Sequence, residues 1–154
     1  MKIVDGTPYL EAVKALIVEY TDSLHMDLSF QHLEEELSHL ERRYVPPYGK
    51  IKMALTEESN LAGCVAYHDH DGRRCEMKRL YVKPDYRGNK GGRLLVEAII
   101  DEARKDGYEE MALDTFERTM KAAVSLYRAL GFTPMEPYYD NPMAGVLYMK
   151  KVLV

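Results

Sequence analysis

A strand, a glycine-containing loop and a helix follow one another directly in this chain, and this succession constrains the fold most. Residues 75–82 are predicted to form a strand, the loop 83–90 is polar, and a helical pattern runs over 91–106. The start of a helix offers free backbone N–H groups and the positive end of its dipole. Three cationic side chains surround that point: Arg87, Lys90 and Arg93. The segment therefore predicts a phosphate or pyrophosphate site.

The absence of two known phosphate-binding patterns limits which phosphate ligands are expected. The P-loop pattern GxxxxGK[ST] and the dinucleotide pattern GxGxxG are both absent from the sequence. A nucleoside triphosphatase is therefore not indicated. The glycines Gly88, Gly91 and Gly92 have an alternative interpretation, in which they only form a tight turn.

Two helices are predicted in the first third of the chain, after a short strand at Lys2–Asp5. Thr7 is expected to cap the first helix, with Pro8 at its first position. The second helix is expected to start at Ser29. Its apolar stripe consists of Phe30, Leu33, Leu37, Leu40 and Tyr44.

Short strands and further helices fill the rest of the chain. Strands are predicted at 50–56, 61–68, 75–82, 111–114, 133–135 and 146–152, and helices at 91–106 and 120–130. Gly107 and Gly131 are expected to end these helices. The order β-α-α-β-β-β-α-β-α-β-β predicts an α/β (α+β) fold with a mixed sheet and helices on its faces, in a single domain spanning 1–154.

Composition excludes several classes of protein. A net charge of −4 argues against a nucleic-acid partner, which a basic surface would attract. No apolar run is long enough to span a membrane, and no signal-peptide pattern opens the chain, so we expect a cytoplasmic location and no membrane partner. Cys64 and Cys75 are expected to be buried thiols. No Cys/His spacing indicates a metal site, so no metal is expected.

Three stretches of this sequence resemble the GNAT family of acetyltransferases. The family motif [RQ]-x-x-G-x-[GA] is matched by Arg87-Gly88-Asn89-Lys90-Gly91-Gly92, except that Lys90 replaces a glycine. The approach Leu80–Gly88 is also similar, as is Ala123-x-x-x-Tyr127-x-x-x-Gly131-Phe132, although Met120 stands where the family often has asparagine. The similarity is strong over 76–132 and covers nearly the whole chain in element order.

The resemblance implies an N-acetyltransferase with acetyl-CoA as cosubstrate and a mostly antiparallel sheet flanked by helices on both faces. The cosubstrate would lie in a cleft between the strand that ends at Val82 and the strand 111–114. The expected binding residues are Leu80, Tyr81, Val82, Arg87, Gly88, Asn89, Lys90, Gly91, Gly92 and Arg93.

The resemblance also implies catalytic roles. Tyr127 would donate a proton to the leaving thiolate; alternatively, it only fills the apolar stripe of its helix. Glu76 would act as the general base; alternatively, it pairs with Lys78 on the same strand face. Asp114 is the second candidate base, and water chains could replace either carboxylate.

The acceptor is expected to be a small-molecule or peptide amine, and the sequence does not identify it. Segment 138–142 would wall its pocket, whereas His68 and His70 are expected to be solvated beside a turn. A homodimer is common in the family. Two other functions stay open: a non-catalytic acyl-CoA-binding or sensor module on the same fold, and a phosphate-binding protein outside the family.

Overall fold

The computed structural model describes residues 1–25 and 32–154. Its strands are β1 Lys2–Asp5, β2 Gly49–Leu55, β3 Leu61–Asp69, β4 Arg74–Val82, β5 Glu110–Phe116, β6 Thr133–Pro134 and β7 Val146–Val152. They form one sheet in the order β1-β2-β3-β4-β5-β7-β6. Neighbouring strands are antiparallel except for β4 and β5, which are parallel. The predicted mixed, mostly antiparallel sheet is confirmed.

Helices cover both faces of this sheet, as predicted. They are α1 Leu10–Ser23, α2 Leu33–Ser38, α3 Glu41–Tyr44, α4 Gly91–Lys105 and α5 Lys121–Ala129. On one face α4 and α5 enclose the larger core, around Ile99, Tyr127 and Met149. On the other face α1 and α3 bury Ile17 and Tyr44 against the sheet. Apolar burial on both sides therefore fixes the sheet as the central layer.

The starts of the first two helices differ from the prediction. Thr7 does not cap α1; it begins a 3₁₀ turn, Thr7–Tyr9, which contains Pro8 and precedes the helix. The Thr7 N–H bonds instead to Asp5 Oδ1 at 2.9 Å. Ser29 and Phe30, predicted to open the second helix, lie outside the described residues.

The predicted second helix is two short helices, α2 and α3. His39 interrupts them with φ −143° and ψ 57°, which are not helical angles. Just before it, Ser38 Oγ bonds to the Glu34 carbonyl at 2.9 Å. A serine hydroxyl that bonds the backbone in this way weakens helix continuation, which accounts for the break.

The pairing of β4 with β5 is short, and this creates a cleft. Only Arg74–Glu76 of β4 pair with Glu110–Ala112 of β5. β4 also bulges at Arg79, where φ is +63° and the register with β3 shifts. Beyond the paired residues, 77–80 and 113–116 line the two sides of a cavity.

The two cysteines and the ends of the long helices match the predictions. Cys64 and Cys75 are free, buried thiols. Gly107 and Gly131 follow α4 and α5 with φ values of 87° and 96°. Across residues 1–25 and 32–154, none of the helices combines the length and apolar character needed to cross a membrane.

Candidate active site

The cleft continues toward the start of α4, where β4, α1, α4 and α5 line it, and we call this part its outer end. It has a volume of about 800 Å³. Of the ten residues predicted to bind the cosubstrate, all but Asn89 line it. Asn89 lines a separate shallow pocket beside Met1. The structure therefore brings the predicted binding residues together in one cleft.

The first turn of α4 offers unpartnered backbone donors at this outer end. The first bond of the helix runs from the Leu94 N–H to the Lys90 carbonyl at 3.0 Å. In the part of the chain that the structure describes, the N–H groups of Gly91, Gly92 and Arg93 have no backbone acceptor, and no side chain caps the helix. Such donors and the helix dipole fit an anionic ligand.

Lys90 replaces a glycine of the family motif but adopts a backbone conformation that is typical of glycine. Its φ of 61° and ψ of 13° are left-handed angles, which glycine adopts at little cost. A Cβ added at Gly92 would meet only Leu126, at 3.6 Å, and Val82, at 3.9 Å, which are ordinary contacts. The bare backbone at Gly92 is therefore not required by packing, and it leaves room for a ligand.

Two arginines border the same backbone donors. Arg87 donates from Nε to the Val82 carbonyl at 2.9 Å, and its guanidinium lies 5.7 Å from the centre of the Tyr81 ring. Arg93 pairs with Glu97 at 2.7 Å on the exposed side of α4. The Arg87 side chain is thus anchored at the cleft, whereas the Arg93 side chain is a solvated ion pair.

The cavity where β4 and β5 have just separated is the inner end of the cleft, and Tyr127 lies there. Tyr127 is 6% exposed and lines both ends. Its hydroxyl has no protein hydrogen-bond partner among residues 1–25 and 32–154. Burial, together with nearby Tyr20 and Asp114, raises the pKa of the Tyr127 phenol above its ordinary value. Tyr127 is therefore protonated at neutral pH, as a proton donor must be.

Glu76 lies at the last residue pair that joins β4 to β5. Its carboxylate is 2.8 Å from His68 Nε2 and accepts a hydrogen bond from the Tyr138 hydroxyl at 2.5 Å. Burial favours a higher pKa, but the charge of Lys78 and the His68 hydrogen bond outweigh it and lower the pKa of Glu76 to about 2. Glu76 is thus ionised at neutral pH, is a weak proton acceptor, and does not itself line the described cleft.

The expectation that His68 is solvated was wrong. β3 extends to Asp69, so His68 belongs to a strand and not to the turn. Its Nε2 lies near both Glu76 and the Arg43 guanidinium, which is 3.1 Å away. His70 is exposed, and its ring meets the edge of Tyr138 at a centroid distance of 5.4 Å.

Segment 138–142, predicted to wall the acceptor pocket, is bonded to both candidate carboxylates. Tyr138 donates to Glu76, and Tyr139 donates to Asp114. Asn141 Nδ2 also donates to Asp114, at 3.0 Å. Asp114, unlike Glu76, lines the inner end of the cleft.

Comparisons with known proteins agree with this geometry. A sequence model described as the Acetyltransferase (GNAT) family matches residues 11–132. The chain belongs to the GNAT acetyltransferase family. An uncharacterized N-acetyltransferase of Schizosaccharomyces pombe is 46% identical over 142 residues, which are 92% of this chain and 86% of that protein. The predicted class, a GNAT-type acyl-CoA-dependent N-acetyltransferase, is confirmed.

Other acetyltransferases resemble the chain at lower identity. The IAA acetyltransferase of Azospirillum brasilense is 38% identical over 107 residues, covering 66% of this chain and 67% of its own. A GNAT acetyltransferase from Staphylococcus aureus superposes with a TM-score of 0.80 at 19% identity, covering 99% of each chain. An acetyltransferase from Salmonella typhimurium, solved with its cofactor acetyl-CoA, gives 0.75 at 22% identity, covering 100% of this chain and 94% of its own. These structures confirm the GNAT fold.

The sequence interpretation missed two residues of this GNAT site, Tyr20 and Lys78. Both line the inner end of the cleft. Tyr20 is on α1, far from the motifs in sequence, so no spacing pointed to it. Lys78 was considered only as an ion-pair partner of Glu76. The strand period of two, which places residues 76 and 78 on one face, was the available signal for its position.

Proposed function

We propose that this protein transfers the acetyl group of acetyl-CoA to the primary amine of an acceptor by direct attack through a tetrahedral intermediate. The observation that carries the proposal is the row of unpartnered N–H groups at the start of α4, at the mouth of the cleft between β4 and β5. The acetyl-CoA-bound Salmonella typhimurium neighbour supports the same assignment. A cytoplasmic location and a homodimer stay predictions from the sequence.

In this proposal the outer end binds the cosubstrate. The backbone of 88–93 binds the pyrophosphate, with Arg87 and Lys90 beside it. The edge of β4 at 80–82 extends past its pairing with β5, so its backbone can bond the pantetheine arm as a neighbouring strand would. Backbone N–H groups there would also polarise the thioester carbonyl.

At the inner end, two groups exchange protons with the reactants. Tyr127 gives its proton to the departing thiolate, since its raised pKa keeps it protonated until that charge develops. Asp114, the carboxylate that lines the cavity, accepts the proton of the amine in this proposal. Glu76 contributes through its charge and through the orientation of Tyr138, because its low pKa makes it a weak base.

Thermal unfolding with and without acetyl-CoA tests the cosubstrate. At about 100 times Kd, one bound ligand adds about 2.7 kcal/mol of stability, which raises the midpoint by roughly 5–10 °C for a domain of this size. Gly92→Glu should abolish the rise, because it adds bulk and negative charge at the phosphate site. Gly92→Ala is the matched control, since its Cβ makes only ordinary contacts. An unchanged rise in Gly92→Glu would refute the phosphate site.

Release of free thiol from acetyl-CoA in the presence of primary amines tests the transfer itself. We expect turnover that depends on the amine. A midpoint rise without turnover on any amine would favour the non-catalytic acyl-CoA-binding alternative and contradict the enzymatic proposal.

Tyr127→Phe tests the proton donor. General acid catalysis contributes typically about 10²–10⁴-fold, so kcat should fall by at least about 100-fold. The midpoint rise with acetyl-CoA should persist, because the hydroxyl and not the ring is removed. Turnover equal to that of the wild type would assign Tyr127 to the apolar core alone.

A further inference from the structure

Lys78 is a buried cation inside the cavity that the acceptor would enter. It lies on β4, two residues beyond the last residue that pairs with β5. It is 9% exposed and lines the inner end of the cleft together with Asp114 and Tyr127. Its ammonium group therefore belongs to the surroundings of the reacting amine.

The structure gives Lys78 no partner of its own within the described ranges 1–25 and 32–154. No ion pair and no hydrogen bond involve its side chain there, whereas the adjacent Arg79 is bonded twice to Glu36, at 2.9 and 3.1 Å. The carboxylate whose pKa Lys78 lowers, Glu76, is already bonded to His68 and Tyr138. The ammonium nitrogen is not one of the fully buried polar atoms that lack a hydrogen bond among the described residues, so it is open to the cavity and can bond an anionic ligand there.

The opposite wall of the same cavity carries a negative charge. Asp114 is on β5, and Tyr139 and Asn141 hold its carboxylate in place. Lys78 on β4 and Asp114 on β5 therefore present opposite charges to one small space. A molecule with an amine at one end and an acidic group at the other matches both walls.

As the acidic group of the ligand, a carboxylate fits the Lys78 side of the cavity better than a phosphate does. Phosphate sites in proteins generally combine several donors, such as an arginine fork or a row of backbone N–H groups. The inner end offers one lysine, because the Arg79 guanidinium is committed to Glu36. The row of backbone donors lies at the outer end instead.

We propose that the acceptor is a small primary amine that also carries a carboxylate, with Lys78 binding the carboxylate and Asp114 facing the amine. This inference rests on the proposed function, since it names the substrate class of the same site. Lys78 is a specificity-determining residue in this proposal and takes no part in the chemistry.

The test compares matched acids and amides as acceptors. Acetyl transfer is measured with glycine, alanine, β-alanine and aspartate, and with the carboxamide of each. We expect the wild-type kcat/KM to be at least about 10-fold higher for the preferred acid than for its amide, which corresponds to about 1.4 kcal/mol. In Lys78→Met this ratio should fall to near one, mainly through KM. Lys78→Arg should keep part of it, because the charge remains.

The same proteins are also unfolded thermally with acetyl-CoA and with CoA plus each acceptor. Lys78→Met should keep the midpoint rise with acetyl-CoA, and it should lose the extra rise that the acid gives over the amide. If acetyl-CoA raises the midpoint but acids and amides act alike in both measurements, this inference is overturned and the proposed function stands. If acetyl-CoA gives no rise in the wild type, both are overturned.

Discussion

The two ends of the cleft are built in different ways. At the outer end the donors are backbone N–H groups of one contiguous loop and helix start, and the charged side chains around them are exposed. At the inner end the polar groups are buried or half-buried side chains from α1, β4 and β5, and segment 138–142 donates hydrogen bonds to Asp114 there and to the neighbouring Glu76. In the proposed function, phosphate binding would therefore depend on local backbone geometry, whereas acceptor binding would depend on contacts between distant elements of the fold.

This difference predicts different energetic consequences of mutation. The ion pair of Arg79 and Glu36 beside the inner end is desolvated, so each of its members requires the other. Charges at the outer end are solvated, so each one contributes little to folding. Three experiments test the comparison.

Arg79→Ala should give the largest effect on stability. It leaves Glu36 buried without its two hydrogen bonds, and removing one partner of a buried pair costs about 3–5 kcal/mol. Arg93→Ala is the matched control at the outer end. It breaks the exposed pair with Glu97 and should cost about 0.3–0.5 kcal/mol. Urea unfolding measures both free energies. If the two losses are similar, the inner charges are not desolvated as the structure indicates.

Acid should weaken the fold beside the inner end through Glu76. Its pKa falls from the ordinary 4.5 to about 2 in the folded protein, so its ionised form stabilises the fold above pH 4.5 and that contribution is lost as the pH falls toward 2. Between pH 6 and about pH 3.5, the wild type should lose about 1 kcal/mol more than Glu76→Gln.

Unfolding by urea at both pH values measures this difference. Glu97→Gln, on the exposed side of α4, serves as the control and should follow the wild type. A Glu76→Gln variant that loses as much stability as the wild type would show that the carboxylate is not held ionised by Lys78 and His68.

Lys90→Gly should have the smallest effect, and it should be stabilising. The left-handed angles of Lys90 cost roughly 1 kcal/mol, which glycine does not incur, while the added freedom of the unfolded chain offsets part of the gain. We expect a net gain of about 0.5 kcal/mol in urea unfolding. Lys90→Ala removes the same charge but keeps the strain. Equal stability of the two variants would contradict the strain.

The sequence predicted one side of the outer end well, because the residues of β4, the loop and the start of α4 that line it all lie within 80–93. Motif, loop and helix start were visible as one pattern, and the structure places all but Asn89 around one cleft. The strand and helix order was also visible, since hydrophobic periodicity is a local signal. The Lys90 position shows the limit of a motif comparison: the residue differs from the motif glycine, but its backbone adopts the left-handed angles that glycine favours.

The inner end could not be predicted in the same way. The bond between Glu76 and Tyr138 joins residues 62 positions apart, and the pair of Arg79 and Glu36 spans 43. Such contacts depend on strand register and on the bulge at Arg79, which no local pattern specifies. The same limitation led to the wrong expectation for His68, whose exposure depended on where β3 ends.

The short pairing of β4 with β5 also affects how firmly the two halves of the sheet are held together. Three residue pairs connect these two central strands, whereas seven connect β5 to β7 and seven connect β2 to β3. The sheet therefore consists of two halves, β1–β4 and β5–β7, that are joined by a short stretch of strand pairing. A molecule lying in the cleft contacts both halves beside this junction, so a bound ligand would hold the two halves together, and its release would leave three residue pairs between them.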